Sequence, residues 1–232
     1  MPSLIFNLKK IKGANSLEVA LKHNLRKIAA EKGGYSRIDS TRSHLNQVLI
    51  GGDDIDELKL EHQKTLSLYE RKIRKDAVLV IEALLSPSID FEGDFDALFR
   101  DSISWLKGYL RIPVISAVIH KDEKLPHLHV LMVPFKDGRL SAKDIFGGRG
   151  QLTQTRNSYF KSVGNKYGLY NPRSDRRLTF KQRDEFASLG LDILTRRPEL
   201  LTERRFELER AFKSSPLIFL DALGVRPDEI GI

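Results

Sequence analysis

A short histidine-rich segment between two apolar runs constrains the fold of this chain more than any other feature. Residues 114–119 and 130–133 are apolar apart from one serine, and the ten residues 120–129 between them hold three of the six histidines. Both runs predict buried strands, because short apolar stretches bounded by polar turn residues are typical of strands in a sheet core. If they pair, the two runs form an antiparallel hairpin.

The spacing of the histidines predicts that they share one face of this hairpin. Residues two apart on a strand project from the same face, so His127 and His129 point together. In the paired hairpin His120 returns beside them, and the connecting loop supplies the carboxylates of Asp122 and Glu123. Three imidazoles beside a carboxylate predict a divalent-metal site with room for a substrate oxygen. The alternative interpretation is a set of ordinary polar residues at strand ends.

The donor types at this predicted site narrow the choice of metal. Three nitrogens and one oxygen suit Mn, Zn, Co or Ni better than Ca, and the chain has no cysteine to supply a thiolate. Without cysteine there are no disulfides, which agrees with a cytoplasmic protein. No apolar run approaches the length of about 18 residues that a membrane span needs, and the first residues lack a signal-peptide core.

The basic charge of the chain is concentrated directly after the histidine segment. Residues 136–183 contain twelve Lys or Arg and three Asp, a net charge of +9, whereas the whole chain carries +8. A basic surface is often only a solvated face, but its position beside a predicted metal site favours nucleic acid as partner. The aromatic candidates for base stacking are Tyr159, Phe160 and Tyr167. The basic candidates for phosphate contacts are Lys143, Arg149, Arg156, Arg173, Arg176 and Arg177.

The remaining periodicities predict an α+β fold. Helices are predicted over Ser16–Lys32, Asp54–Lys75, Phe91–Leu110 and Leu152–Tyr167, and over 182–195, 199–213 and 216–223. Further strands are predicted over Leu4–Leu8 and Ala77–Leu85, with connections over 35–46 and 136–150. This order indicates an antiparallel β-sheet with helices packed on it and a helical C-terminal extension. A break in the pattern near Pro172 divides the chain into predicted domains 1–172 and 173–232.

Two upstream histidines become candidate site residues only because of the motifs around them. His23 lies in a predicted helix and His44 follows a polar stretch, and such positions usually hold surface residues. His62, in a charged helix, is assigned no role. The ordered motifs are KHNLR at 22–26, STRSHLN at 40–46, RKDAVLV at 74–80 and HKDEKLPHLH at 120–129. Together these four segments resemble the Mob/Pre family of plasmid mobilisation relaxases.

The resemblance implies a fold and an activity. The family belongs to the histidine-hydrophobe-histidine endonucleases, so the resemblance implies their palm-like relaxase form of the α+β fold. It also implies metal-dependent, site- and strand-specific nicking of origin-of-transfer DNA through a covalent 5′-phosphate intermediate. The DNA would be single-stranded or a hairpin, other transfer proteins are further expected partners, and the ion would be Mn²⁺, with Mg²⁺, Zn²⁺, Co²⁺ or Ni²⁺ as alternatives. A rolling-circle replication initiator or a transposase of the same class is the competing assignment.

The resemblance also implies roles for individual residues. The metal ligands would be His120, His127 and His129, with Glu123 beside them as ligand support or proton acceptor. The nucleophile would be His23, the histidine of the HNxR motif, with Tyr35 as the alternative because most relaxases use a tyrosine. The phosphate-binding candidates in the matching motifs are Arg26, Arg42, His44 and Arg74.

Overall fold

The computed structural model describes residues 2–12, 16–28, 38–171 and 179–201. Contacts divide the chain into a larger compact unit, residues 2–171, and a second unit that holds the residues from Pro172 onward. The assignment of separate domain roles to 1–172 and 173–232 stays a prediction. Among the described residues, no helix has both the length and the apolar character needed to cross a membrane.

A five-stranded antiparallel sheet forms the centre of the larger unit. Its strands are β1 (Leu4–Ile11), β2 (Gln47–Ile50), β3 (Val80–Pro87), β4 (Val114–His120) and β5 (His127–Met132). They are ordered β1-β3-β5-β4-β2, so the two histidine-bearing strands β4 and β5 pair with each other inside the sheet. A separate hairpin consists of β6 (Phe135–Lys136) and β7 (Arg139–Leu140). The predicted α+β fold with an antiparallel sheet is confirmed.

Helices pack on both faces of this sheet. The helices of the unit are α1 (Ser16–Asn24), α2 (Ile55–Ser67), α3 (Phe95–Leu110), α4 (Ala142–Phe146) and α5 (Arg149–Ser162). On one face, Leu98 and Leu106 of α3 lie in a single apolar cluster with Ile81 and Val130 of the sheet. These α3 residues recur at helical spacing, which is why the helix buries one side and stays exposed on the other.

The opposite face carries a smaller apolar cluster at one end and polar residues at the other. Leu21 of α1 and Leu58 of α2 pack there with Val80 and Leu131. His62 of α2 is buried, and its Nε2 lies 3.2 Å from the carbonyl oxygen of Leu79. The cluster fixes α1 and α2 over one half of the face, which leaves the half near the start of β5 for polar groups.

Several short elements differ from the sequence-based expectations. The first helix ends at Asn24 rather than Lys32, and the second at Ser67 rather than Lys75. Strand β2 was not predicted, because four residues are too few to show a period. The β6–β7 hairpin and α4 lie in a stretch predicted as a connection. Its Asp137-Gly138 turn, with φ of 51° and 70°, is a signal of a two-residue hairpin that the prediction missed.

Two of the three aromatic candidates for base stacking belong to the core. Tyr159 is fully buried, its ring stacks on Phe6 with centroids 4.9 Å apart, and its hydroxyl lies 2.8 Å from Oγ of Ser102. Phe160 is also buried. The prediction that these rings stack on bases was wrong, because helix α5 turns them toward the sheet. Tyr167 is half-buried, and its hydroxyl donates to Asp101 at 2.8 Å.

In the second unit, helix α6 (Phe180–Arg196) confirms the predicted helix over 182–195. A capping box starts it: the Thr179 hydroxyl accepts from the Gln182 backbone N–H, while the Gln182 side chain accepts from the Thr179 N–H. A 3₁₀ turn over Pro198–Leu201 follows. The predicted helices over 199–213 and 216–223 otherwise lie outside the described residues.

Candidate metal centre

The three histidines of the HKDEKLPHLH segment meet on one face of the sheet. His120 at the end of β4 is the direct register partner of His127 at the start of β5, and His129 lies two residues further along. Their ring centroids form a nearly equilateral triangle, with separations of 4.8 to 5.0 Å. The structure therefore brings together the three side chains that the alternation of a strand predicted.

Each ring has one nitrogen held by an outer partner, which leaves its other nitrogen as a candidate metal ligand. His120 Nε2 lies 2.8 Å from the carbonyl oxygen of Asn24, and His127 Nδ1 lies 2.9 Å from that of Leu125. His129 Nδ1 lies 2.8 Å from Oε1 of Glu82. Carbonyl and carboxylate acceptors behind the imidazole are the pattern seen behind metal-binding histidines, because they fix the tautomer and orient the ring.

The second nitrogens of His120 and His127 have the spacing and charge that a shared ion needs. Nδ1 of His120 and Nε2 of His127 are 3.2 Å apart. Metal–nitrogen bonds of about 2.0–2.1 Å separate two ligand nitrogens by about 2.8–3.0 Å at octahedral angles and about 3.3–3.4 Å at tetrahedral angles. Burial lowers the pKa of His120 to about 2 and also lowers that of His127, so both rings are neutral and able to coordinate. These residues fit a divalent ion.

A fourth histidine, from helix α1, lies over the cluster. The ring centroid of His23 is 5.5 Å from that of His129 and 6.0 Å from that of His120. Read alone it was taken as a surface residue, but it is half-buried and faces the sheet. Two sets of side chains could each hold an ion: His23 with His120 and His129, or His120 with Glu123 and His127. His23 can therefore contact whatever binds at the three-histidine centre.

Asp122 organises the loop beside the histidines. It is fully buried, and Arg26 donates to both of its oxygens, at 2.9 and 2.7 Å. Ser43 and Asn46 donate to it as well, at 2.8 and 2.7 Å. Burial alone would raise the pKa of Asp122, but these hydrogen bonds, chiefly those from Arg26, hold it well below its usual range. Sequence analysis identified only a loop carboxylate and missed that its partners come from two distant segments, the end of α1 and the 3₁₀ turn.

The predicted phosphate contact of Arg26 stays a prediction, and the structure shows what else the residue contacts. Arg26 is 5% exposed, and it also donates to Glu123 at 2.8 Å, so its guanidinium is held inside the protein by two carboxylates. The residue has a left-handed φ of 54° just after α1, where a helix commonly ends. The ion pair therefore anchors the end of α1, and with it His23, against the histidine hairpin.

Glu123 lies between this network and the histidines. Its Oε1 is 3.7 Å from Nε2 of His127 and accepts the hydrogen bond from Arg26. Its side chain is 24% exposed, which is enough to reach both the centre and solvent. The position is compatible with either of its predicted roles, as ligand support or as proton acceptor.

The other predicted phosphate contacts fall in different places. Arg42 and His44 are exposed on the 3₁₀ turn over Ser40–Leu45, where Arg42 donates to the carbonyl oxygen of Lys121 at 2.7 Å. Arg74 and Lys143 are exposed at another end of the sheet, and Arg156 is half-buried on α5. The candidates outside the described residues or side chains are Tyr35, Arg149, Arg173, Arg176 and Arg177.

The comparison with protein families agrees with the motifs. The family model described as plasmid recombination enzyme, Mob_Pre, matches residues 1–183. A plasmid recombination enzyme type 1 from Staphylococcus aureus is 30% identical over 181 residues, 72% of this chain and 43% of the relative. A plasmid recombination enzyme from Lactiplantibacillus plantarum is 34% identical over 156 residues, 63% of this chain and 42% of the relative. The chain thus spans less than half the length of these curated relatives.

The fold is similar to that of a solved relaxase domain. The MobM relaxase domain, bound to plasmid pMV158 oriT DNA in an Mn-bound crystal structure at pH 6.8, matches with a TM-score of 0.65 and 26% identity. The match covers 79% of this chain and 98% of that domain. On its ordered motifs, its fold and these comparisons, the chain belongs to the Mob/Pre family of plasmid recombination enzymes.

Proposed function

We propose that this protein nicks one strand of origin-of-transfer DNA at a specific site and holds the 5′-phosphate covalently, for plasmid mobilisation. The observation that carries the proposal is the placement of His23 over the three-histidine centre, with its ring 5.5 Å from that of His129. A nucleophile and a cation site then face the same phosphate. The MobM relaxase domain, with which the fold is shared, was solved bound to oriT DNA.

The proposed reaction is a transesterification at phosphorus. A nitrogen of His23 forms a bond to phosphorus, the bond from phosphorus to the 3′-oxygen breaks, and the released 3′-oxygen takes up a proton. The phosphate stays on the imidazole, and attack by the same 3′-hydroxyl reverses the step. A bound divalent ion would stabilise negative charge on a nonbridging oxygen. In this reaction Glu123 would support that ion or accept the proton that His23 releases, and its position 3.7 Å from Nε2 of His127 supports the first role.

The proposed ion is Mn²⁺, with Mg²⁺, Zn²⁺, Co²⁺ and Ni²⁺ as alternatives. Nitrogen donors are compatible with all the transition ions on this list, and the solved MobM domain contains Mn. His120, His127 and His129 would hold it. We place the protein with plasmid DNA in the cytoplasm, with the origin strand presented as single-stranded DNA or a hairpin and with other transfer proteins as further partners.

A labelled oligonucleotide carrying the origin site, incubated with Mn²⁺, tests the proposal through the chemistry of the adduct. A phosphohistidine is a phosphoramidate that breaks in warm acid and survives alkali, whereas a phosphotyrosine survives mild acid. We expect an acid-labile adduct with the wild-type protein and with Tyr35→Phe, and none with His23→Ala. His127→Ala should lose metal-dependent nicking because water replaces a ligand nitrogen poorly.

Two results would contradict the proposal. An acid-stable adduct that disappears only in Tyr35→Phe would assign the nucleophile to the tyrosine. Full cleavage by His127→Ala in chelator-treated buffer would exclude the metal centre from the reaction.

A further inference from the structure

The histidine proposed as the nucleophile also lies where a metal ligand would. One ring nitrogen from each of His23, His120 and His129 lies within 4.8 Å of the other two. His120 belongs as well to the second set, with Glu123 and His127, in which Nδ1 of His120 is 3.2 Å from Nε2 of His127. The two sets overlap at His120, so an ion bound by that ring has His23 within reach.

Only a small adjustment separates this arrangement from a formed site. Ligand nitrogens on one ion lie about 2.8–3.4 Å apart, so the three rings would have to close in by about 1–2 Å. His23 is half-buried, and a partly exposed ring can turn about its side-chain torsions without displacing the core. Ligation by His23 therefore requires no movement of helix α1.

The backbone around His23 is already attached to the histidine centre. The carbonyl oxygen of Asn24 lies 2.8 Å from Nε2 of His120, and the Arg26 N–H donates to the carbonyl oxygen of His23 at 3.0 Å. The buried pair of Arg26 with Asp122 holds the same turn. Because these contacts fix the backbone of His23 before an ion arrives, its imidazole can bind the ion at little further cost in conformational entropy.

Three histidines leave open positions on every ion considered for this centre. A tetrahedral ion keeps one open position and an octahedral ion keeps three, which water or a further side chain fills. Imidazole suits Zn²⁺, Co²⁺ and Ni²⁺, whereas Mg²⁺ and Mn²⁺ accept water readily. A fourth imidazole that is already in place competes best with water on the first three ions.

We propose that His23 is a fourth ligand of the ion in the protein without DNA, and that an oxygen of the scissile phosphate replaces it. The exchange breaks one metal–nitrogen bond and forms one metal–oxygen bond, with no change in the oxidation state of the metal. The proposal rests on the proposed function, because it takes His23 as the nucleophile, and it adds a second state of the same side chain.

The exchange controls when His23 can react. A neutral imidazole has one nitrogen with a lone pair and one with a proton. When the lone pair is bound to a metal, neither nitrogen can attack phosphorus. Release of the ring by an incoming phosphate therefore produces the nucleophile only when its substrate is present.

Titration of the DNA-free protein with metal alone tests the ligation. We expect His23→Ala to bind Ni²⁺ and Co²⁺ at least about tenfold more weakly than wild type, the lower end of what even an outer partner of a ligand contributes. The loss for Mn²⁺ should be smaller, because water replaces nitrogen more easily on that ion. The visible absorption of the Co²⁺-loaded variant should also lie at longer wavelength, because water gives a weaker ligand field than imidazole.

A neighbouring substitution on the same helix is the matched control. The Lys22 side chain is 44% exposed and pairs with Glu18, and it offers no ligand to the centre. Lys22→Ala should therefore match the wild type in metal affinity and in the Co²⁺ spectrum. Circular dichroism of both variants establishes that they are folded.

An uncleavable oligonucleotide tests the exchange. It carries the origin site with a methylene in place of the bridging 3′-oxygen of the scissile phosphate, so the nonbridging oxygens remain while the leaving group is lost. In its complex, verified by fluorescence anisotropy, wild type and His23→Ala should have similar Co²⁺ affinities and similar spectra, because the phosphate occupies the position of the ring in both.

Two outcomes would overturn the proposal. Equal Ni²⁺ and Co²⁺ affinities and identical spectra of the two proteins without DNA would show that His23 is not a ligand. A difference that persists unchanged in the DNA complex would show that the phosphate does not replace the ring. Failure of the proposed function would appear separately, as absent nicking of the unmodified oligonucleotide in Mn²⁺, on which the DNA-free titrations do not depend.

Discussion

At the scale of single residues, the groups behind the histidines are as informative as the histidines themselves. Asn24 and Leu125 supply backbone carbonyls, whereas Glu82 supplies a charged side chain that contacts Nδ1 of His129. Burial would raise the pKa of Glu82, but the interaction with His129 lowers it. A carboxylate in this position keeps the proton on Nδ1 and leaves Nε2 for the metal.

Replacing that carboxylate tests its contribution to metal binding. Glu82→Gln keeps the size of the side chain and an acceptor oxygen but removes the charge. We expect Mn²⁺ affinity to fall about 10- to 100-fold, the usual effect of losing an outer partner of a ligand. Calorimetric titration with Mn²⁺ measures it, and the exposed Glu92→Gln is the control. Equal affinities for the two variants would show that Glu82 does not tune the centre.

At the scale of elements, one buried ion pair joins the end of α1 to the histidine hairpin. Arg26 and Asp122 are 5% and 0% exposed, and the nearby 3₁₀ turn adds Ser43 and Asn46 to the same carboxylate. Removing one member of a buried pair leaves the other charge without compensation, which is far more costly than removing an exposed pair.

Asp122→Ala should therefore lower the free energy of unfolding by about 3–5 kcal/mol. Urea denaturation provides the measurement, and Asp76→Ala, which breaks an exposed pair, should cost less than about 1 kcal/mol. If the two substitutions cost the same, Asp122 does not act as an anchor. In the folded fraction of Asp122→Ala, adduct formation by His23 should also fall, because the end of α1 loses its attachment.

The aromatic residues of α5 give a prediction about stability rather than about DNA binding. Tyr159 is part of the core, so Tyr159→Ala should destabilise the protein by about 3–5 kcal/mol, as large-to-small core substitutions do. The half-buried Tyr167 should cost less when replaced by alanine. Thermal unfolding distinguishes these expectations from a DNA-binding role, in which Tyr159→Ala would reduce affinity with little loss of stability.

The sequence predicts a feature when the pattern that determines it lies within a short stretch of chain, and fails when the feature depends on contacts between distant residues. The positions of His127 and His129 on one face follow from the strand period, and the pairing with His120 follows from the hairpin. The partners of Asp122 could not be predicted, because Arg26 lies 96 residues away and the contact exists only after the sheet has formed. Tyr159 looked available because α5 is polar overall, and only packing shows which side of the helix is buried.

At the scale of the whole molecule, the metal centre lies entirely within residues 2–171. A protein ending at Asn171 should therefore fold, bind Mn²⁺ and form the adduct. It lacks Arg173, Arg176 and Arg177, which were predicted to contact phosphates, so its affinity for DNA should depend less steeply on salt. Circular dichroism, Mn²⁺ titration, the adduct assay and binding over a salt series check the four expectations. An unchanged salt slope would exclude these arginines from the DNA interface.

The bridge between Ser3 and Tyr170 joins the two ends of the larger unit side by side. The Leu4 N–H donates to the carbonyl oxygen of Tyr170, and the Tyr170 N–H donates to that of Pro2. A unit closed in this way can be circularly permuted, because a short peptide can join its ends while a new opening is made at an exposed turn such as Asp137-Gly138. A permuted chain that begins at this turn should therefore still assemble the histidine centre, because every strand and helix around it keeps its neighbours.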